Sequence, residues 1–265
     1  MSLLVARRGI LAAGDVVAPE PHLEVWLDAS DETSIDDDGG AVTGWTDKQN
    51  DYTFAQATAS DRPTTGASTL NSLNVVDFDA DHLTFDAAAS VFKWLHDGTE
   101  HTIFAVIRAG NVASPDALLS LLGSNAASSG NIGEWVSYDD RGSTSDALVH
   151  QVSAGGANPI LYIGPNSFWP ANEWGVLTVL TRPLLSASGR SRIWWNDANE
   201  QNPNTRTDSV STDNPTHPLD IGAAGNGASP LTGALAELRI YRKGMDAGER
   251  AGVVSELLQK WGLGS

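Results

Sequence analysis

Thr102-Ile103-Phe104-Ala105-Val106-Ile107-Arg108 decides the fold class. β-branched and aromatic residues follow one another here almost without a polar break, which is what a strand covered on both faces requires. Outward from this run, Leu23-Glu24-Val25-Trp26-Leu27-Asp28, Val75-Val76-Asp77-Phe78-Asp79 and Leu83-Thr84-Phe85 alternate apolar and polar residues. Leu148–Val152, Ile160–Ile163, Val176–Thr181, Arg192–Trp195, Leu219–Ile221 and Ala234–Tyr241 supply further extended stretches. Roughly ten strands separated by turn residues, with no regular alternation of amphipathic helices, predict an all-β antiparallel sandwich or barrel. One helix is well signalled, at the end of the chain. Asp246 can cap it with Glu249 three residues on, Val253, Val254, Leu257, Leu258 and Trp261 form one apolar stripe, and Lys260 and Gly262 close it. A shorter helical stretch is expected near Ala87–Trp94, and Asn196–Pro218 and Gly123–Gly133 read as long surface loops.

The 265 residues carry 16 Lys and Arg against 33 Asp and Glu, a formal charge of −17 that repels phosphate backbones and argues against a nucleic-acid partner. Cysteine is absent, which removes disulfides, thiolate metal sites and a cysteine nucleophile. No apolar run approaches the roughly 18 residues of a membrane span, so no membrane insertion is expected. The simplest division is an arm over residues 1–18 followed by one domain over 19–265. In the arm, Arg7 and Arg8 split the apolar stretch instead of preceding it, unlike a secretory signal. Leu3, Leu4, Val5, Ile10 and Leu11 are too apolar for a solvated tail. The arm is therefore expected to anchor the chain by packing on another subunit, with Arg7 and Arg8 pairing acidic groups there.

Trp26-Leu27-Asp28-Ala29-Ser30-Asp31, Val42-Thr43-Gly44-Trp45-Thr46-Asp47, Arg62-Pro63 and Val76-Asp77-Phe78-Asp79 with Leu83 form a series that resembles the front half of a LamG-like, concanavalin A-like jelly roll. The version it resembles is a module of bacteriophage virion proteins. Gly233-Ala234-Leu235-Ala236-Glu237-Leu238-Arg239-Ile240-Tyr241 resembles that family's penultimate strand, and Asp246 through Lys260-Trp261-Gly262-Leu263 its closing helix. The resemblance implies a two-sheet antiparallel jelly-roll sandwich with a C-terminal capping helix over a sandwich edge or sheet end. One departure is Asn196-Asp197-Ala198, where the family often has an Asn-Gly hairpin; a longer loop is expected there.

The fold hosts lectins, glycosidases and capsid ornaments alike, so function must come from the residues. Retaining glycosidases of this superfamily place their acids on one strand in a Glu-x-Asp-x-x-Glu run, and none occurs here. Glu237 stands alone among apolar residues and reads as a hydrogen-bonding carboxylate, and Glu134 is separated from Asp139 and Asp140. No catalytic residue is assigned and the chain is expected not to be an enzyme. Asp36-Asp37-Asp38-Gly39-Gly40 lacks the alternation and closing Glu of a calcium loop and reads as a hairpin tip. Asp77, Asp79 and Asp81 do alternate and could share a face, which makes Ca2+ the one cofactor to consider. The histidines at 22, 82, 96, 101, 150 and 217 lack zinc spacing and read as scattered surface or capping groups. Among the nine tryptophans, Trp26, Trp45, Trp174 and Trp261 read as core, whereas Trp169 before Pro170 reads as exposed. Of the adjacent Trp194 and Trp195, one must face outward or into a partner. Tyr138, Trp169 and Trp195 are the candidate carbohydrate contacts.

These readings lead to a non-enzymatic virion structural protein. It would be a head decoration, spike or fibre-associated module on the head or tail surface, assembled in the host cytoplasm and held by its arm to other virion proteins as a homo-oligomer. The alternative is a carbohydrate-binding adsorption module recognising a host glycan. A glycosidase comes third.

Overall fold

The computed structural model describes residues 20–110, 118–126, 130–140, 147–155, 160–163, 168–184, 191–201 and 210–264. The anchoring residues Leu3, Leu4, Val5, Arg7, Arg8, Ile10 and Leu11 lie outside them. The chain runs through β1 (Leu23–Asp28), β2 (Ile35–Asp38), β3 (Ala41–Thr46), β4 (Thr53–Ala55), β5 (Thr64–Leu70), β6 (Leu73–Asp81) and β7 (Leu83–Phe85). It continues through β8 (His101–Ala109), β9 (Leu118–Gly123), β10 (Ile132–Asp139), β11 (Ala147–Ala154) and β12 (Ile160–Ile163). Then come β13 (Gly175–Thr181), β14 (Ser191–Trp195), β15 (Ala198–Gln201), β16 (Asp220–Ile221), β17 (Leu231–Tyr241) and the helix α1 (Ala247–Trp261).

Antiparallel pairing sorts the strands into two sheets of a jelly-roll sandwich. The first runs β5–β6–β17–β8–β13–β14–β15, with β1 paired to the second half of β17. The second runs β2–β3–β4–β7–β16–β9–β10–β11–β12. One bridge between Ala41 and Thr64 joins them at a corner. Between the sheets, Val25, Leu27, Trp45, Phe54, Val136 and Leu238 belong to one buried apolar cluster.

β8 explains its own sequence. Ile103, Ala105 and Ile107 point into the inter-sheet core, while Phe104 and Val106 point outward into a second apolar layer. That layer exists because α1 lies on the outer face of the first sheet, burying Val253, Val254, Leu257 and Trp261. Each such side chain contributes roughly 1.5–3 kcal/mol on burial. The helix thus covers a sheet face, not the sandwich edge or sheet end expected from the sequence. Its boundaries follow the local signals: Asp246 and Glu249 form a capping box, and Gly262 stops it at φ 68°.

A bulge in β17 aims the helix anchor. Leu235 pairs with Ile107 and Glu237 with Val106, leaving Ala236 as the extra residue. Glu237 therefore leaves the face of Leu235 and turns toward α1. Its Oε1 accepts from Trp26 Nε1 at 2.8 Å and Arg239 Nε at 2.7 Å, and its Oε2 from Lys260 Nζ at 2.7 Å and Trp261 Nε1 at 2.8 Å. Lys260 also reaches Asp28 at 2.7 Å, and Lys48 links Asp28 to Asp31. Burial disfavours the charge of Asp28, yet these lysines outweigh it and hold its carboxyl below the usual range.

Two expectations about turns and aromatics are corrected. Asn196 and Asp197 have φ of 52° and 56° and close a tight hairpin between β14 and β15, so no longer loop replaces the turn. Trp194 and Trp195 are both buried: Arg250 of α1 stacks 3.8 Å from the Trp194 ring, and Trp195 turns into the core. The Gly39-Gly40 tip of the β2–β3 hairpin matches its sequence reading.

Glu237→Ala is expected to leave Arg239 buried without its main partner and to cost about 3–5 kcal/mol. Chemical denaturation checks this; a loss below about 1 kcal/mol would show that the carboxylate does not anchor α1.

Candidate functional site

The predicted carbohydrate contacts come together, but inside the protein. Tyr138 and Trp169 meet edge-on at 5.8 Å and Trp169 lies 6.2 Å from Trp195, all within the inter-sheet core. The prediction that Trp169 is exposed is corrected: Phe168 and Trp169 tuck inward ahead of Pro170, and Trp169 is fully buried. Tyr138 and Trp195 are likewise unavailable to a sugar. Trp174 and Trp26, read as core, are only half-buried.

Trp174 stands at the end of an open row on the outer face of the first sheet. Asp77 pairs with Ala234, Ala234 with Arg108, and Trp174 extends the β8–β13 register by one residue beyond Gly175 and Ile107. Three interstrand spacings make this row about 14 Å long. The Arg108 guanidinium carbon lies 5.5 Å from the Trp174 ring centroid, and its Nη2 is 3.8 Å from Asp77 Oδ1. Ser68 donates a hydrogen bond to the other Asp77 oxygen. The Arg108 side chain is 36% exposed and that of Asp77 25%. Ala234 between them is fully buried, with the Asp77 and Arg108 side chains meeting above it. The row offers an aromatic ring, a bank of donors and an oriented acceptor, the chemistry that meets the C–H face and hydroxyls of a sugar.

The structure does not bring the carboxylates of Asp77, Asp79 and Asp81 together. Asp77 faces Arg108, and Asp79 is exposed. Ala80 adopts φ 63°, which breaks the alternation, so Asp81 is buried and its carboxylate accepts the Asp79 N–H at 2.8 Å. Among the described residues no three His, Asp or Glu side chains are grouped to hold a metal ion.

A second polar cluster, missed in the sequence, bridges the sheets. Glu134 of β10 accepts at one oxygen from His101 Nε2 of β8 at 3.0 Å and His150 Nε2 of β11 at 2.7 Å. His101 Nδ1 lies 3.2 Å from the Thr99 carbonyl oxygen. His150 Nδ1 lies 2.6 Å from Ser191 Oγ. Burial pushes the Glu134 carboxyl up, but the His101 charge and the imidazole hydrogen bonds prevail and hold it at about 2. His96, His101 and His150 are all fully buried, which corrects their reading as surface or capping groups. The serine–histidine–glutamate sequence has the partners of a hydrolytic triad, yet every member has zero exposure. The available signal was the position of Glu134 between Ile132 and Val136 on an inward-facing strand; its partners required the cross-sheet register.

No protein-family model matches the sequence, and no curated protein does. Solved structures do share the fold. A Trypanosoma rangeli sialidase in complex with 2,3-difluorosialic acid is 13% identical, over 91% of this chain and 34% of that chain, with a TM-score of 0.57. HCR/D-Sa-GBL1/C is 11% identical, over 89% of this chain and 52% of that one, at 0.51. The binding domain of botulinum neurotoxin serotype D/C is 9% identical, over 89% and 52%, at 0.48. This chain thus spans about a third to a half of those chains. No helix among the described residues is long and apolar enough to cross a membrane.

Because the Glu134 carboxyl is depressed in the folded state, its contribution is present above pH 4.5 and is lost as pH falls toward 2. That contribution is on the order of 3 kcal/mol for a buried group shifted this far. In Glu134→Gln the stability–pH curve should be flatter than the native one across this window. Parallel curves would show that the Glu134 carboxylate does not carry the acid sensitivity.

Proposed function

We propose that this chain is a carbohydrate-binding module that engages a host-surface glycan at the Asp77–Arg108–Trp174 row and catalyses no reaction on it. The row is the observation that carries the reading: a half-buried indole beside a partly exposed arginine and an anchored carboxylate on the outer face of the first sheet. The sugar's C–H face packs on Trp174, its hydroxyls accept from Arg108, and a further hydroxyl donates to Asp77. The likeness in fold to a sialidase described with a sialic-acid analogue adds support in kind, since it shows the same scaffold within a sugar-handling protein. The absence of catalysis rests on the Glu134 cluster being sealed from substrate. The virion-surface setting implied by the resemblance belongs to the same proposal, with the module presented outward for adsorption.

A glycan array followed by calorimetry tests this. Trp174→Ala and Arg108→Ala are each expected to weaken binding of the best glycan about tenfold or more, the scale of losing one aromatic or charged contact, with cooperative thermal unfolding retained. Prolonged incubation should release no new reducing ends. Binding that survives both substitutions, or no binding at all, would overturn the site or the function respectively.

A further inference from the structure

We propose that the groove between the start of β1 and the first half of α1 receives residues 3–11 of a second copy of this chain. The groove measures about 570 Å³. Pro21, Tyr241, Met245 and Val253 give it an apolar floor. Glu20, Glu249 and Glu256 stand around it with Lys243, a balance of three negative charges against one positive, or −2. Glu20 accepts from the Tyr241 hydroxyl at 3.1 Å, Glu256 pairs with Arg239 at 3.0 Å, and Glu249 pairs with Lys243. Residues 3–11, Leu-Leu-Val-Ala-Arg-Arg-Gly-Ile-Leu, match this surface: apolar side chains for its floor and the +2 of Arg7 and Arg8 for its carboxylates.

The helix wall carries an independent sign of a visitor. Gly248 and Gly252 lie four residues apart on one helix face, and both line the groove. A glycine inside a helix costs about 1 kcal/mol relative to alanine. Among the described residues nothing fills the space: a Cβ added to Gly252 would meet no atom within 4 Å, and one on Gly248 only the Asp246 carboxylate at 3.5 Å. The bare backbone instead lets another segment approach closely. From Gly248 to Glu256 the helix rises about 12 Å, a length that roughly four extended residues span. Val5–Arg8 thus fits the groove, with Leu3, Leu4, Ile10 and Leu11 packing at its ends.

The occupant comes from another copy because the chain's own entry already forms the opposite wall. Glu20 is tied to Tyr241, and the His22 carbonyl accepts the Arg242 N–H at 2.7 Å. The surfaces that meet are different, arm on one copy and groove on the next, so docking is head-to-tail and each copy uses both.

Complementation tests this with intact domains. The native chain should assemble in sedimentation experiments and dissociate as salt rises. A chain lacking residues 2–13 keeps the groove and loses the arm; Gly252→Leu keeps the arm and fills the groove, with its melting temperature held or raised. Each alone should be monomeric, and an equimolar mixture should give a one-to-one heterodimer. A mixture that stays monomeric, a native chain that never assembles, or a Gly252→Leu chain that assembles as the native one does would each overturn the proposal.

Discussion

The carboxylate of Glu237 fixes the relation between the end of the chain and the sandwich. It sits on β17, the strand that contacts β1, β6 and β8, and gathers two indole N–H groups, a guanidinium and an ammonium from three separate segments. Burying one carboxylate is costly, and only this full set of donors compensates for it. A bulge at Ala236 makes the arrangement reachable, since regular alternation would place Glu237 in the inter-sheet core with Leu235. Once Trp261 and Lys260 are held, the apolar stripe of α1 has one place to lie.

The position of α1 then decides which surfaces remain for binding. It covers Phe104, Val106 and Val176, and Trp174 packs half-buried against the same layer, beside Arg108 and Asp77. Its first half, set against residues 20–22, forms one wall of the acidic groove. The outer-face row and the acidic groove are therefore both bounded by one helix placement. The Glu134 cluster plays a complementary part on the inside, tying β8 of one sheet to β10 and β11 of the other through hydrogen bonds between fully buried side chains.

How much of this the sequence revealed depends on whether a signal is local. The uninterrupted run at Thr102–Arg108 and the capped, striped helix after Asp246 are read directly, because caps, stripes and buried runs need no knowledge of partners. The Asn196-Asp197 hairpin was misjudged because Asn and Asp can hold left-handed backbone without a glycine. Exposure of tryptophans is less legible. Trp169 and Trp174 lie five residues apart around one proline, and their roles are exchanged by which sheet face each meets and by where α1 ends. The histidine–glutamate cluster was invisible for the same reason, since its members lie 16 and 33 residues apart in sequence and converge only across the sandwich.

Indole Nε1–H resonances offer the most direct measurement. Titrating the best-binding glycan into labelled protein should shift the Trp174 indole signal and leave those of the buried Trp45 and Trp169 in place. Saturable shifts confined to other tryptophans, with Trp174 unmoved, would contradict the assignment of the outer-face row as the binding site.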